Sequence, residues 1–383
     1  MVDSRGRHYT GAVNSLRETI EREIGERGAI PFSRYMELCL YDPEHGYYAR
    51  HAGQFGKAGD FYTASDVHAV FGRLLARQFD EMWRALGRPD PIELRELGPG
   101  RGLFARDVLD WSCKKFPAFF EAVYYRLAER SPALCERLSQ TLGSYIEAGK
   151  ASMCTADRVP AAGPVIVFAN EFFDALPVEI VSWEGALRVS AEPGRLLETW
   201  VEASAEEREF LERYSVLPDG RERLEVPLLA QRSMAAIAGS IERGFLIAID
   251  YGYTRAEQEA GRHRGTLMTY RRHAAGVNPY EAPGEQDITA HVNFTALAAA
   301  AEEHGMQVER LVTQAQFLMG IGEANQFADA FEEARLPQER AKVALQLKHL
   351  VTPAGMGEAF HVLMASKGVD AGGLCGLSFH ARL

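Results

Sequence analysis

The segment Glu-Leu-Gly-Pro-Gly-Arg-Gly at 96–102 constrains the fold of this chain most, because it joins a predicted strand to a predicted helix. The apolar run Ile92–Leu97 predicts the strand, and residues 103–116, with apolar side chains at helical spacing, predict the helix. Glycines let the backbone turn sharply and come close to a ligand, and the helix start offers free N–H groups. We therefore expect a βαβ unit that binds a nucleotide-like ligand at this loop.

The spacing of the glycines distinguishes between ligands. A dinucleotide loop, G-x-G-x-x-G, needs a glycine where Leu103 stands, and a P-loop needs a Gly-Lys-Ser/Thr sequence that is absent from this loop. The pattern E-x-G-x-G-x-G is typical of Rossmann-like methyltransferases that use S-adenosylmethionine (SAM), a cofactor without a phosphate. We therefore expect Glu96, Gly98, Gly100 and Gly102 to hold SAM, with S-adenosylhomocysteine as the product.

Short apolar runs alternate with longer helical stretches along the rest of the chain, which is typical of an α/β protein with a largely parallel sheet. Further strands are predicted at 123–127, 165–168, 245–250, 308–312 and 360–365. The polar and apolar alternation in 178–202 predicts β-hairpins outside this pattern. The predicted fold is therefore a Rossmann-like class I methyltransferase sheet with an inserted cap of helices and β-hairpins.

The same alternation suggests how the chain is divided, although no clean linker is visible. Residues 1–90 are expected to form an N-terminal helical segment that covers the cofactor. The Rossmann-like core is assigned to 91–182 and 241–383, with insertions inside it. Those insertions, at 183–240, 261–293 and 314–350, are expected to form a substrate cap.

Polar residues follow two further predicted strands, where α/β enzymes place their ligands. Glu129 comes after strand 123–127 and would accept hydrogen bonds from both ribose hydroxyls; a solvated surface acid is the alternative. Asn170, expected on the cofactor side, Glu171 and Asp174 follow strand 165–168. The two acids would clamp a cationic nucleophile for in-line methyl transfer, whereas a helix cap and a first-turn acid are the alternative.

Composition excludes several classes of function. The chain has 42 Lys and Arg against 53 Asp and Glu, a net charge of −11 that disfavours nucleic acid as a partner. The stretch 288–301 is free of charged residues but shorter than the ~20 residues of a membrane span. The five cysteines form no C-x-x-C pair, so neither a disulfide framework nor a zinc site is expected, and no metal is predicted. Without a recognisable targeting segment, the expected location is cytoplasmic.

Several sequence blocks, in order along nearly the whole chain, resemble those of the MidA-like methyltransferases, whose mitochondrial members are assembly factors for respiratory complex I. The blocks are Tyr-Asp-Pro at 41–43, Gly-Tyr-Tyr at 46–48, Gly-Asp-Phe-Tyr-Thr at 59–63, Phe-Gly at 71–72, the glycine loop, Glu-Arg-Ser-Pro at 129–132, Asn-Glu-Phe-Phe-Asp-Ala-Leu-Pro-Val at 170–178, Asp-Tyr-Gly at 250–252, Gly-Thr-Leu at 265–267, Asp-Ile-Thr-Ala-His-Val at 287–292 and Gln-Phe-Leu at 316–318. Together these blocks identify the chain as a member of that family.

The resemblance implies a SAM-binding domain and symmetric dimethylation of an arginine on a core complex I subunit. It places Asp60 and Thr63 beside the cofactor. Our leading hypothesis is therefore a SAM-dependent protein arginine N-methyltransferase, with Glu171 and Asp174 at the substrate guanidinium. A small-molecule O- or N-methyltransferase and a non-catalytic assembly chaperone of the same fold are the alternatives.

Two points remain open at this stage. The oligomeric state is not fixed by the sequence, and a homodimer is one alternative. His291 and Asn293 lie in an apolar stretch before a predicted helix at Phe294–Glu303. For them we expect a satisfied buried histidine beside a helix cap, and no metal site.

Overall fold

A computed structural model describes residues 15–50, 69–154, 163–271, 274–276, 278–353 and 355–382. The helices are α1 Ser15–Arg27, α2 Phe32–Tyr41, α3 Tyr47–Arg50, α4 Ala69–Ala85, α5 Leu103–Lys115, α6 Pro117–Ala122, α7 Pro132–Glu147, α8 Ala205–Tyr214, α9 Leu228–Ser240, α10 Arg255–Glu259, α11 Phe294–Glu303, α12 Gln314–Glu323, α13 Ala328–Phe331 and α14 Pro337–Val351, followed by a 3₁₀ helix Cys375–Arg382. Among the described residues, no helix is both long and apolar enough to cross a membrane.

The strands follow in the same way. They are β1 Ile30–Pro31, β2 Ile92–Leu97, β3 Val123–Ala128, β4 Ala151–Cys154, β5 Val165–Asn170, β6 Glu179–Ser182, β7 Gly185–Glu192, β8 Arg195–Val201, β9 Leu224–Val226, β10 Gly244–Tyr253, β11 Met268–Arg271, β12 Ala274–Gly276, β13 Asp287–Thr289, β14 Val292–Asn293, β15 Gln307–Val308, β16 Val312–Thr313 and β17 Phe360–Lys367.

The main sheet has the order β15-β17-β10-β5-β2-β3-β4, with β14 added beside β10 and β16 beside β17. Strands β10, β5, β2, β3 and β4 are parallel to one another, and β17 is antiparallel to β10. The order reverses at β2, because β3 follows on one side and β5 on the other. Open parallel sheets bind ligands at such a switch point, outside the carboxyl ends of the strands.

Helices cover both faces of the main sheet, as an α/β fold requires. One face is buried under α4 and α5, with Phe71, Phe79 and Phe104 packed against Phe168 of β5 or one another. The other face is buried under α9 and α11. The strand predicted at 308–312 is split into β15 and β16, because one extra residue between them shifts their register against β17.

A second, antiparallel sheet with the order β1-β7-β6-β9, and with β8 paired to β7, is built from the predicted hairpins. Helices α1 and α2 bury their apolar side chains on it. The opposite side of this sheet packs against α8, whose N-terminus carries the capping box Ser204 and Glu207. A third, small sheet, β12-β11-β13, lies in the segment 261–293.

The structure places two segments differently from the expected division of the chain. Residues 69–85 were assigned to the cofactor cover, yet α4 lies in the core of the main sheet. Residues 314–350 were assigned to the cap, yet Phe317, Leu318 and Ile321 of α12 lie in that same core. Both helices carry an apolar face, and among the described residues that face is buried in the core of the main sheet. The remaining division into core and cap stays a prediction.

Candidate active site

The carboxyl ends of β2, β3 and β5 open into a cavity of about 490 Å³. Segments of the chain that are distant in sequence line it: the glycine loop, the turn after β3, the turn after β5, and residues from α2 to α3. The volume falls in the range of about 300–1,000 Å³ that is usual for small-molecule and cofactor sites. Seven of the ten predicted site residues line this cavity: Glu96, Gly98, Gly100, Glu129, Asn170, Glu171 and Asp174.

The glycine loop needs its glycines for different reasons. Gly98, Gly100 and Gly102 all have positive φ angles, of 62°, 53° and 74°. A Cβ on Gly100 would meet no atom of the described residues within 4 Å, and this glycine lines the cavity. A Cβ on Gly102 would lie 2.7 Å from Leu138 Cδ2 of α7. Gly100 therefore leaves room for a ligand, whereas Gly102, which does not line the cavity, lets α5 start close to α7.

Glu96 lies near the end of β2 and is only 5% exposed. Its Oε2 accepts a hydrogen bond of 2.7 Å from the hydroxyl of Tyr125 on β3. Burial raises the pKa of Glu96 to about 8, against the smaller opposing effect of that hydrogen bond. A cation in the cavity would favour the ionised form of this carboxylate.

Glu129 is held in one orientation by the turn that follows β3. Its Oε1 accepts hydrogen bonds of 2.8 Å from the backbone N–H groups of Arg130 and Ser131. Ser131 caps α7 by accepting a hydrogen bond from the N–H of Leu134. In the described part of the chain no donor reaches Glu129 Oε2, so that oxygen is available to a ligand. Burial raises the pKa of this carboxyl as well.

The turn after β5 carries Asn170 and Glu171 at its start. Asn170 Nδ2 donates a hydrogen bond of 3.0 Å to Glu171 Oε1, and Asn170 Oδ1 is buried. Glu171 adopts a φ of 49°, which is uncommon for a residue with a side chain. The alternative of a helix cap is wrong, because residues 171–177 form turns and lead into β6.

Asp174 lies deeper in the same turn and is 5% exposed. Its Oδ2 accepts a hydrogen bond from the Tyr251 hydroxyl, and its Oδ1 is buried without a hydrogen-bond partner among the described residues. Burial raises the pKa of Asp174 to about 6, and the Tyr251 hydroxyl acts against that rise. Asp250, which is fully buried, accepts hydrogen bonds of 3.0 and 3.3 Å from the N–H groups of Phe173 and Asp174.

Tyrosines from the front of the chain close one side of the cavity. The Tyr41 hydroxyl donates a hydrogen bond of 2.9 Å to the carbonyl of Ala175. Tyr48 packs against Tyr41 with ring centroids 5.4 Å apart, and its hydroxyl donates a 3.3 Å bond to Asp287 Oδ1. Tyr41 and Tyr48 therefore cover one side of the cavity. The predicted cofactor residues Asp60 and Thr63 lie outside the described residues.

Among the described residues that line the cavity, acidic side chains outnumber basic ones. The acids are Glu37, Asp42, Glu96, Glu129, Glu171, Asp174 and Asp287, and the bases are Arg101 and Arg130. Such a site favours a cationic ligand over an anionic one. Sequence reasoning identified the acids that follow strands, but it missed Asp250, Tyr251 and Asp287. These three residues contribute to the site only because of which strands lie side by side, and no local pattern shows that. Two of the family blocks contain them, and those blocks were the only signal that could have pointed to them.

Asn293, which is buried, and His291, which is half-buried, do not line the cavity. Asn293 Oδ1 caps α11 by accepting a 3.0 Å hydrogen bond from the N–H of Ala296. His291 Nδ1 is 3.2 Å from His263 Nδ1, and burial together with His263 lowers the pKa of His291 to about 4. Both observations agree with the expected helix cap and satisfied histidine.

Comparisons with known proteins agree with the geometry of the cavity. A family model described as S-adenosyl-L-methionine-dependent methyltransferase matches residues 74–312. The Drosophila melanogaster protein arginine methyltransferase NDUFAF7 homolog, mitochondrial, is 31% identical over 93% of this chain and 86% of its own length. The human protein arginine methyltransferase NDUFAF7, mitochondrial, is 26% identical over 88% of this chain and 80% of its own length.

A solved structure shows the same fold over almost its whole length. The Burkholderia thailandensis protein, crystallised with S-adenosyl-homocysteine bound, has a TM-score of 0.84 and 30% identity, covering 96% of this chain and 95% of that one. One expectation is overturned by the comparisons. The curated relatives are mitochondrial proteins, which contradicts the cytoplasmic location expected from the sequence.

The predictions of fold, enzyme class and cofactor are confirmed by these findings. The cavity also suits the cofactor chemically: Gly100 leaves space that a side chain would fill, Glu129 Oε2 offers an acceptor, and the acids suit a sulfonium cation. The family model covers more than half of the chain, and the Drosophila relative exceeds 30% identity over nearly all of it. This chain belongs to the S-adenosyl-L-methionine-dependent methyltransferase family.

Proposed function

We propose that this protein is a protein arginine N-methyltransferase that uses SAM. The observation that carries the proposal is the state of Asp174, a buried carboxylate whose Oδ1 has no hydrogen-bond partner among the described residues. It lines the same cavity as the cofactor loop and lies three residues after Glu171. An unpaired buried acceptor of this kind needs a strong donor, and a guanidinium is both charged and rich in N–H groups.

The names of the curated relatives support the same substrate class. Several are protein arginine methyltransferases, and the chain spans 80% or more of the Drosophila and human proteins. The family resemblance further implies a subunit of respiratory complex I as the methylated protein. We take that subunit, modified symmetrically on one arginine, as the substrate to test first.

The residues around the cavity divide into two groups in this proposal. Glu96, Gly98, Gly100 and Glu129 hold the cofactor, with Asn170 beside them. SAM supplies a methyl group that its sulfonium already activates. The protein therefore has to orient the acceptor nitrogen, neutralise its charge and exclude water.

Glu171 and Asp174 orient that acceptor. Arginine keeps its charge at any physiological pH, so the carboxylates beside the guanidinium must localise its charge. One guanidinium nitrogen then keeps a lone pair that faces the methyl group. The strained backbone of Glu171 and the hydrogen bond to Asp174 from Tyr251 fix these two acids before the substrate arrives.

The decisive experiment incubates the purified protein with methyl-labelled SAM and a total protein extract, followed by mass spectrometry of the labelled products. We expect label on arginine side chains of a protein. Label only in the low-molecular-mass fraction would support a small-molecule methyltransferase, and bound SAM without any transfer would support a non-catalytic chaperone. Light scattering on the same sample tests whether the protein is a homodimer.

Two substitutions connect the labelling to the site. Asp174→Asn removes the charge with little change of shape, and transfer to arginine should fall by about 10²-fold, the scale for one preorganised electrostatic contact. Glu192→Gln removes an exposed acid at the end of β7 that does not line the cavity, and serves as the matched control. Equal activity of both variants would contradict the proposed role of Asp174.

A further inference from the structure

The end of strand β10 holds the turn that carries Asp174. The N–H of Glu171 donates a 2.9 Å hydrogen bond to the carbonyl of Ile249, and Asp250 accepts bonds from two further N–H groups of the turn. The Tyr251 hydroxyl then donates to Asp174 Oδ2. Three consecutive residues of β10 therefore fix the backbone and the side chain of a turn about eighty positions earlier in the chain.

Tyr251 makes the two oxygens of Asp174 different. Oδ2 is occupied by the hydroxyl, while Oδ1 is buried and has no hydrogen-bond partner within the described ranges. Tyr251 itself is partly buried, and its ring packs on His291 and Phe360 at centroid distances of 5.3 and 5.4 Å. The ring is thereby held in place, and its hydroxyl leaves Oδ1 as the carboxylate oxygen without a hydrogen-bond partner among the described residues.

We propose that Asp174 Oδ1 accepts the proton that arginine loses on methylation, and that Tyr251 is the positioning residue that keeps this carboxylate ionised and oriented. The proposal rests on the proposed function, because it concerns the same turn and the same substrate. It adds a proton acceptor, which the orienting role of the acids alone does not provide.

The chemical step requires such an acceptor. As the bond from the guanidinium nitrogen to the methyl carbon forms, the bond from that carbon to sulfur breaks, and sulfur keeps the electron pair as a neutral thioether. The methylated nitrogen would carry an additional positive charge unless it loses its proton. Transfer of that proton to Asp174 Oδ1 leaves a methylated guanidinium of charge +1 and a neutral carboxylic acid, so atoms and charge balance.

The surroundings of Asp174 would favour its neutral form without Tyr251. The titratable groups that face it are Glu171 in the same turn, Asp250 and Tyr251 on β10, Tyr41 on α2, Tyr48 on α3, Tyr270 on β11 and Asp287 on β13. Burial raises the pKa of Asp174 to about 6, whereas the hydroxyl of Tyr251, and after it the backbone N–H groups of Ala175 and Asp174, lower it. A proton acceptor with this pKa is ionised at neutral pH.

The test compares Tyr251→Phe with Tyr253→Phe across pH, using methyl-labelled SAM and total protein extract as the acceptor. Tyr253 is the matched control: it lies on the same strand, is fully buried, and stacks on His263 with a centroid distance of 5.4 Å. Loss of the hydrogen bond should raise the pKa of Asp174. The acid limb of the pH–rate profile should therefore move to higher pH by about one to two units. Arginine methylation by Tyr251→Phe would then fall about 2–10-fold at pH 7 and recover towards wild type at pH 9.

The outcomes separate the two proposals. If the wild-type protein labels no arginine, or Asp174→Asn keeps full activity, the proposed function itself fails. If Asp174→Asn is inactive while the acid limb of Tyr251→Phe does not move, only the role of Tyr251 is overturned. A loss in Tyr251→Phe that is equal at every pH, with weaker SAM binding, also overturns it. The inference is supported if the acid limb of the pH–rate profile shifts in Tyr251→Phe but not in Tyr253→Phe. Both variants should also bind SAM within a few-fold of wild type.

Discussion

Replacing Gly102 and Gly100 by alanine, one at a time, should separate the folding role of the glycine loop from its binding role. Both residues have a positive φ, which costs a residue with a side chain about 1–2 kcal/mol. At Gly102 the new methyl group would also lie 2.7 Å from Leu138 Cδ2 and 3.1 Å from Leu142 Cδ1. Overpacking of this kind adds about 1–3 kcal/mol, whereas a Cβ on Gly100 meets none of the described residues within 4 Å.

These free energies translate into different melting temperatures. With an unfolding entropy of about 2.1 cal/mol/K per residue, a chain of 383 residues that unfolds in one transition loses about 1.2 °C for each kcal/mol. Gly102→Ala should therefore lower the melting temperature by about 2–6 °C, and Gly100→Ala by about 1–2 °C. Differential scanning calorimetry of the protein without cofactor measures both values.

For SAM binding, the order of the two variants should be the opposite: Gly100→Ala should lose more affinity than Gly102→Ala. The methyl group of Gly100→Ala would occupy space in the cavity, and overpacking of about 1–3 kcal/mol corresponds to an affinity about 5–150-fold lower. Gly102→Ala should bind SAM within about threefold of wild type, as measured by calorimetry well below its melting temperature. The reasoning is refuted if Gly102→Ala keeps the wild-type melting temperature but loses SAM binding.

Three further predictions concern the acids of the cavity. Because burial raises the pKa of Glu96 to about 8, this carboxyl becomes ionised between pH 6 and 9, and cationic SAM should bind more tightly over that range. The pH dependence of SAM affinity should be smaller in Glu96→Gln. A wild-type affinity that calorimetry finds constant from pH 6 to 9 would contradict this prediction. Glu129→Ala should weaken SAM binding by about 1–3 kcal/mol, the scale of hydrogen bonds to a charged group, and an unchanged dissociation constant would return Glu129 to the status of a surface acid. Glu171→Gln should lower methyl transfer by at least ~10²-fold with SAM affinity within a few-fold; loss of SAM binding instead would place Glu171 at the cofactor.

The parts of the structure that depend on local sequence could be predicted closely. Strand Ile92–Leu97 has the bounds expected from its apolar run, and the helix expected at 103–116 is observed at Leu103–Lys115. The glycine loop between them combines the required backbone freedom with a helix start, so its position and its ligand class could both be inferred. The hairpins in 178–202 also followed from alternation and turn residues.

What the sequence could not provide was the order of the strands. Tyr251 and Asp250 reach the turn of Asp174 only because β10 lies beside β5, and no local pattern encodes that adjacency. The same limit explains the wrong placement of α4 and α12, whose apolar faces predict burial but not the partner. Gly102 was assigned to the cofactor because the motif contains it, whereas its contact with α7 depends on how two helices pack.

The packing of α1 and α2 on the second sheet affects how the protein folds during translation. Apolar side chains of α1 and α2, such as Ile20, Phe32 and Met36, are buried against β6 and β7 and against Ile288. Roughly 140 residues must be synthesised between α2 and β6, which takes about 7–28 s at a translation rate of about 5–20 residues per second. During this interval those side chains lack their partners on β6 and β7, and Ile288 follows later still. The nascent chain is therefore expected to need a chaperone before the catalytic cavity, which α2 and α3 help to close, can form.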